Sequence, residues 1–430
     1  MQITIPDKVR KILSFVDQYY IWIMAIVTPV IIWLNWDATG MSGLLLEYQI
    51  FKSIILSGFD SSLISTFPMW GYGWIMVLTE NKLVLLIFQS AMGLFALSYF
   101  VKVFERQKIL SDWYITALKT IMIIAVPWYC FHALRWANSI SISLFLLSFA
   151  VLIMALNDKR WVMFILSGIL FGLVLNFRSD YHLMPVGFAI LILIFYKSAQ
   201  KPLHMITWLS CIYLMLIPWG IYTSNVTGHY LLTSTNAGHV CFIGLGNNPN
   251  NKWGIMEHDN DPLMRSLVDK EFGKTTSTLE YESNIFIKKE FFKRVKADPL
   301  EYAEKCLWSF KRYLFQGTYP GEFIDRKSTK KSGISKIVLT LLQLYSLVLG
   351  KLLVLISMLV LPFTVFHAVK KRNVFFILLT AAICYQTAIN VLCYQMSSYT
   401  SNMLLFFILN LLFGIQIYLN RSKPVVDQAN

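Results

Sequence analysis

Residues 137–177 read ANSISISLFLLSFAVLIMALNDKRWVMFILSGILFGLVLNF: two apolar runs, 139–156 and 161–176, divided by the polar residues Asn157, Asp158, Lys159 and Arg160. Each run matches the roughly 17 to 25 apolar residues that carry a helix across a bilayer. The Lys-Arg pair between them marks a cytoplasmic turn. The stretch therefore reads as a transmembrane hairpin, and the rest of the chain repeats its pattern. Of 430 residues, 56% are hydrophobic and only 14% charged, against about a quarter charged in soluble domains.

Further runs suited to spanning lie at 20–36, 83–104, 113–134, 181–197, 203–222, 352–369, 373–391 and 400–420. The leading residues, MQITIPDKVRKILSFVDQYY, hold no small-residue cleavage site, so run 20–36 is expected to be retained rather than removed as part of a signal peptide. The formal charge of +14 sits largely in short clusters beside apolar runs. Topology explains those clusters, and no nucleic-acid partner is implied. Six cysteines show no CxxC or other metal-ligand spacing. The compartment argument alone would allow a Cys241–Cys306 disulfide.

Lys8/Arg10/Lys11, Arg106/Lys108, Lys159/Arg160, Lys197/Lys201, Lys370/Lys371/Arg372 and Arg421/Lys423 all fall on the cytoplasmic side if the chain crosses ten times with both termini inside. Two more apolar segments then cannot be complete spans. Segment 63–79 is expected to be re-entrant or interfacial, and 335–350 an interfacial helix before the span at 352, with one long tilted helix as the alternative. The expected fold is all-α and polytopic, about 10–11 transmembrane helices with interfacial helices and one large extracytoplasmic loop. It divides into an N-terminal transmembrane module (1–222, with a first outer loop 37–82), a loop subdomain (223–336) and C-terminal transmembrane helices (337–430). Segment 223–336 holds 17 Lys/Arg and 13 Asp/Glu, over half of the chain's 24 acidic residues.

Within that loop, Asp298 and Pro299 form a helix start, the Asp capping and the Pro at the first helical position. Ala303, Cys306, Leu307, Phe310 and Leu314 follow at helical spacing, with Lys305, Lys311 and Arg312 off that stripe, an amphipathic helix expected to lie against the membrane or the transmembrane bundle. A preceding helix near 280–297 carries Ile285, Phe292 and Val295 on one face.

Chemistry is sought on the outer side. Asp37, Glu47 and Asp60 lie close to lipid, where carboxylates are costly; one of them is suited to deprotonating an acceptor, and an interfacial helix with its acids in water is the alternative. Arg135 and Arg178 sit at outer helix ends, where a guanidinium can grip a phosphate with two prongs or simply snorkel to the interface. The stretch TSTNAGHVCFIGLGNNP, 233–249, offers turn residues and hydrogen-bonding groups suited to a sugar or to a plain loop. His229, His239 and His258 match no metal motif, and no metal or other cofactor is required by anything in the sequence.

An ordered set of features resembles the GT-C glycosyltransferases, specifically bacterial relatives of protein O-mannosyltransferases and of the aminoarabinose transferase. Glu47-Tyr48 followed by Gly58 and Pro68 resembles the family's first outer loop. GILFGLVLNFR, 168–178, resembles its Gly-rich helix ending in Arg. Pro218-Trp219, Gly228, Ser234–Gly238 and Gly246–Pro249 resemble the opening of its large outer loop. Asp298-Pro299 with Tyr302, and Tyr399 before the last span, complete the set.

The resemblance implies inverting transfer from a polyprenyl-phosphate-linked sugar to a glycan, lipid or protein acceptor, on the extracytoplasmic side of a bacterial inner membrane. Asp37 or Glu47 would be the base. Arg178, with Arg135 or Lys351, would hold the donor phosphate. Tyr48, Asn236, Asn247, Asn248 and Tyr399 would bind substrate. Three positions depart from the pattern: Leu44 stands where the family base would fall, Asn138 or Ser139 replaces an acid, and Ser398 replaces the Arg beside the final Tyr. An O-antigen polymerase or ligase, a lipid-linked glycan transporter and a catalytically silent glycan-lipid binder remain as other readings.

Overall fold

A computed structural model describes residues 7–34, 36, 42–59, 65–67, 69–274, 276–316, 334–395 and 400–421. Every regular element among them is helical: α1 (Asp7–Leu34), α2 (Ser42–Leu56), α3 (Gly71–Thr79), α4 (Lys82–Arg106), α5 (Asp112–Ile124), α6 (Val126–His132), α7 (Ala137–Asp158), α8 (Trp161–Phe177), α9 (Met184–Phe195), α10 (Lys201–Leu214), α11 (Ile217–Thr227), α12 (Ala237–Gly244), α13 (Pro262–Phe272), α14 (Tyr281–Ala297), α15 (Pro299–Gln316), α16 (Ile334–Lys370), α17 (Val374–Leu392) and α18 (Leu404–Arg421).

Five of these, α1, α4, α7, α16 and α17, contain stretches long and apolar enough to cross a membrane, and the bent pairs α5–α6 and α10–α11 bring the number to seven. The bends, 58° and 41°, fall where Pro127 and Pro218 open the second helix of each pair. A proline there removes a backbone donor and clashes with the preceding turn. Three shorter apolar helices, Trp161–Phe177, Ser179–Phe195 and Leu404–Leu419, join them. The chain has the build of a multi-pass helical membrane protein.

α7 is apolar on all sides and 94% of its most apolar 18-residue window is buried, which makes it the central helix. α8 and α10 pack closely because Gly168 and Gly172 leave room one turn apart. A Cβ at Gly168 would stand 2.7 Å from the Trp208 carbonyl oxygen, and one at Gly172 would stand 2.7 Å from that of Ile212. Small residues at this spacing let helix backbones approach where lipid offers no hydrophobic drive.

Segment 63–79 yields only the nine-residue α3, too short to cross. It is pinned by Trp70 Nε1, which donates to Asn176 Oδ1 at 2.7 Å, and by Gly71, whose Cβ would meet the Asn176 carbonyl oxygen at 2.6 Å. Of the two expectations for 335–350, the separate interfacial helix is corrected and the single long helix is what the structure has: α16 runs unbroken through 37 residues. At 1.5 Å per residue it is about 55 Å long, well beyond a bilayer core of about 30 Å. The helix continues through Gly350 and Lys351, and Pro362 also lies inside it.

The loop segment starts its helices where the sequence indicates. Asp298 Oδ1 accepts from the Glu301 backbone N–H at 3.0 Å, capping α15. The faces are another matter. α14 buries Ser283, Asn284, Ile287 and Phe291, while Phe292 of the expected stripe is exposed. α15 buries Glu301, Lys305, Ser309 and Tyr313, and turns Leu300, Leu307, Phe310 and Phe315 outward. An apolar outer face with a polar inner one suits a helix beside lipid, since side chains there have no water to seek and the inner face can bind helix ends. A second, smaller cluster of buried side chains, including Phe242, Ile255, Met264, Val268 and Ile287, holds α12 to α14 together.

Gly172→Val is expected to cost about 1–3 kcal/mol through overpacking against Ile212 and Met215. Thermal unfolding in detergent checks this; a midpoint equal to the wild type would contradict the close α8–α10 contact.

Candidate functional site

Where the loop segment meets the C-terminal ends of α8 and α17, the helices leave a cavity of about 440 Å³. Its wall takes Tyr48 from α2, Asn138 from the start of α7, Arg178, Ser179, Asp180, His182 and Leu183 from the turn after α8, Asn236 from the loop, Lys288 from α14, and Tyr385 and Asn390 from α17.

The turn after α8 is tied in from every side. Arg178 Nε and Nη2 donate to the two Asp180 carboxylate oxygens at 2.7 Å each, and Nη1 donates to Asn138 Oδ1. Tyr385 donates to the Asp180 carbonyl at 2.7 Å, and the Ser179 and Ser234 hydroxyls are 3.0 Å apart. The two-pronged grip expected for a phosphate is thus spent on Asp180. Arg178 holds the wall, and Asn138, which with Ser139 is one of the two residues standing where the family resemblance places an acid, is what its third nitrogen grips.

The cation open to a ligand is Lys288. It is exposed, lines the cavity and joins no salt bridge among the described residues. Neutral groups face the same space: both amide atoms of Asn390, 1% exposed, lack a hydrogen-bond partner, as do Asn138 Nδ2 and His182 Nδ1. Buried polar atoms are rarely left unsatisfied without a reason. These offer both donors and acceptors to a hydroxyl-rich guest.

Tyr48 is buried, its ring 4.7 Å from that of Tyr72. Its neighbour Glu47 is half-buried and accepts from Ser65 Oγ at 3.4 Å; burial raises its carboxyl above the ordinary range, with the serine bond opposing. Asn236 lines the cavity and accepts from Ser234 Oγ at 2.8 Å. Of the residues singled out in the sequence, Tyr48, Arg178 and Asn236 line this one cavity, and Glu47 precedes Tyr48 in α2 without being part of the wall.

The remaining assignments fall elsewhere. Arg135 is near Tyr72 and off the cavity wall, and Lys351 sits within α16. Asn247 is a structural anchor: its Oδ1 accepts from the Gln395 backbone N–H at 3.0 Å, and it borders a different cavity beside Trp308 and Arg312. Asn248 closes a turn, accepting from the Asn250 N–H at 3.1 Å. Asp37, Asp60, Pro68, Ser398 and Tyr399 lie outside the described residues.

Sequence reading missed Lys288, Asn138 as a ligand group, and Asn390. The signal for the asparagines is an amide at the end of an apolar span, where a polar side chain is costly. Among the described residues, no three His, Cys, Asp or Glu side chains gather to hold a metal. No family model, curated protein or solved structure matches the chain.

One buried cation supports the site from below. Lys305 Nζ, with its residue wholly buried, donates at 2.9–3.0 Å to the carbonyls of Val391, Leu392 and Cys393 at the end of α17. Burial lowers its ammonium to about 8. A cation at a helix C-terminus satisfies orphan carbonyls and complements the helix dipole. Lys305→Met is expected to lose about 2–3 kcal/mol, the scale of a hydrogen bond to a charged group. A thermal midpoint within error of the wild type would remove this role.

Proposed function

We propose that the protein is a membrane glycosyltransferase that moves a sugar from a polyprenyl-phosphate-linked donor to a glycan, lipid or protein acceptor on the extracytoplasmic face of a bacterial inner membrane. In this reading the ten apolar segments are ten spans, and the loop side is the outer side. The observation that carries it is the convergence of Tyr48, Arg178 and Asn236, from three distant segments, on one cavity. Those segments are the ones that resemble the GT-C pattern, and the convergence is independent of that resemblance.

The chemistry follows from the wall. Lys288 receives the donor phosphate and stabilises it as it leaves the anomeric carbon. Asn138, Asn390 and Asn236 hold sugar hydroxyls, and the apolar side chains of Phe67, Met69, Phe177 and Leu183 line the same space for a prenyl chain. Glu47 takes the proton of the attacking acceptor group, with inversion at the anomeric carbon. Its raised carboxyl makes it a stronger base once ionised. Arg178 acts as a positioning residue, through Asp180 and Asn138.

Transfer of labelled sugar from polyprenyl-phosphate donors in membranes tests this. Glu47→Gln is expected to lower kcat about 100-fold or more, the scale of general-base catalysis, and Lys288→Ala to raise KM for the donor. Because Glu47 works ionised and its pKa is raised, wild-type activity should be lost as pH falls through a value above the ordinary Glu figure of about 4.3. Loss in Asp37→Asn with Glu47→Gln unaffected would move the base to Asp37. No transfer from any donor would contradict the reading.

A further inference from the structure

Two cysteines far apart in sequence meet at the edge of the cavity. Cys241 lies on α12 and Cys393 just past the end of α17; both line the cavity, and each thiol is the neighbour that most perturbs the other's ionisation. Both are present as thiols. The backbones that carry them are held close. Gly244, three residues on from Cys241, packs so tightly that a Cβ there would stand 1.8 Å from the Cys393 carbonyl oxygen.

That carbonyl is itself fixed by the 2.9 Å bond from Lys305 Nζ. On the other side of α12, a Cβ at Gly238 would meet the Asn284 carbonyl oxygen at 2.1 Å, so the helix is clamped between α14 and the end of α17. Cys306, the partner that the sequence alone would allow for Cys241, lies beside Lys305, Tyr302 and Cys393 and does not figure among the groups that perturb the Cys241 thiol.

We propose that Cys241 and Cys393 are joined by a disulfide in the mature protein, which fastens α12 to the C-terminal helices and fixes one wall of the cavity. The proposal rests on the reading that the loop side is extracytoplasmic, where disulfides persist. The chemistry is thiol–disulfide exchange with a disulfide-bearing oxidant of that compartment, such as a thiol oxidase. The Cys393 thiolate attacks one sulfur of the oxidant and expels the other as a thiol. The Cys241 thiolate then displaces the oxidant from the mixed disulfide. In all, two protein thiols and one oxidant disulfide become one protein disulfide and two oxidant thiols. The neighbouring Cys241 thiol and the nearby Lys305 ammonium favour the Cys393 thiolate and make it the attacking partner.

The test is mass spectrometry of full-length protein, alkylated in its native membranes before any reduction and then digested. The expected result is a peptide pair linked through Cys241 and Cys393, lost on reduction, retained in Cys306→Ser and absent in Cys393→Ser. Full alkylation of both cysteines before reduction, or a link from Cys241 to Cys306, would overturn the proposal. Two further arms separate its failure from that of the outward reading. Lys270→Cys, at an exposed loop position, should react with a membrane-impermeant maleimide on spheroplasts; no reaction places the loop inside and defeats both. Purified protein treated with oxidised glutathione should form the same link whatever the sidedness, and failure there overturns the pairing itself.

Discussion

The ion pair between Arg178 and Asp180 holds the turn between α8 and α9, and much of the site depends on that turn. Through it, α7 is joined by Asn138, α17 by Gln386 and Tyr385, and the loop segment by the contact of Ser179 with Ser234. A half-buried ion pair of this kind contributes little net stability on its own, because desolvation offsets the attraction. What it supplies is position. Five chain segments that would otherwise meet only through apolar surface, which is indifferent to rotation and sliding, are brought to one register. The amide nitrogen of Asn138 and both amide atoms of Asn390 are left over in that register, without hydrogen-bond partners, around an open space.

A second constraint acts at the end of α17. A helix that stops inside protein must satisfy its last carbonyls, and here a single buried ammonium does so for three of them. Lys305 reaches that point only because α15 presents its polar side inward. The same helix turns Leu307, Phe310 and Phe315 outward. The arrangement of α15 and the closure of the cavity floor are thus one feature seen from two sides.

The sequence made the long helices legible, because about twenty apolar residues between charged clusters admit few other structures. It also made the cap at Asp298 and the shortness of α3 legible. The polar inner faces of α14 and α15 were not, since an apolar stripe shows which side can meet membrane or bundle and says nothing of which polar side chains the other side buries. The contact of Arg178 with Asp180 is not legible in the sequence: Asp180 is two residues away, and only the turn geometry shows that both prongs of the guanidinium close on it. Lys288 was hidden for a simpler reason. A lysine on a helix with many others carries no mark of its own until the fold brings it to a cavity.

The central claim is that this cavity receives the phosphate and sugar of a polyprenyl-linked donor. Cryo-electron microscopy of the protein in nanodiscs with a polyprenyl phosphate tests it most directly. The account predicts density for the phosphate beside Lys288, with the prenyl chain leaving past Phe177 and Leu183. Density for the lipid phosphate at another site, with the space between Tyr48, Asn236 and Asn390 unchanged, would contradict it.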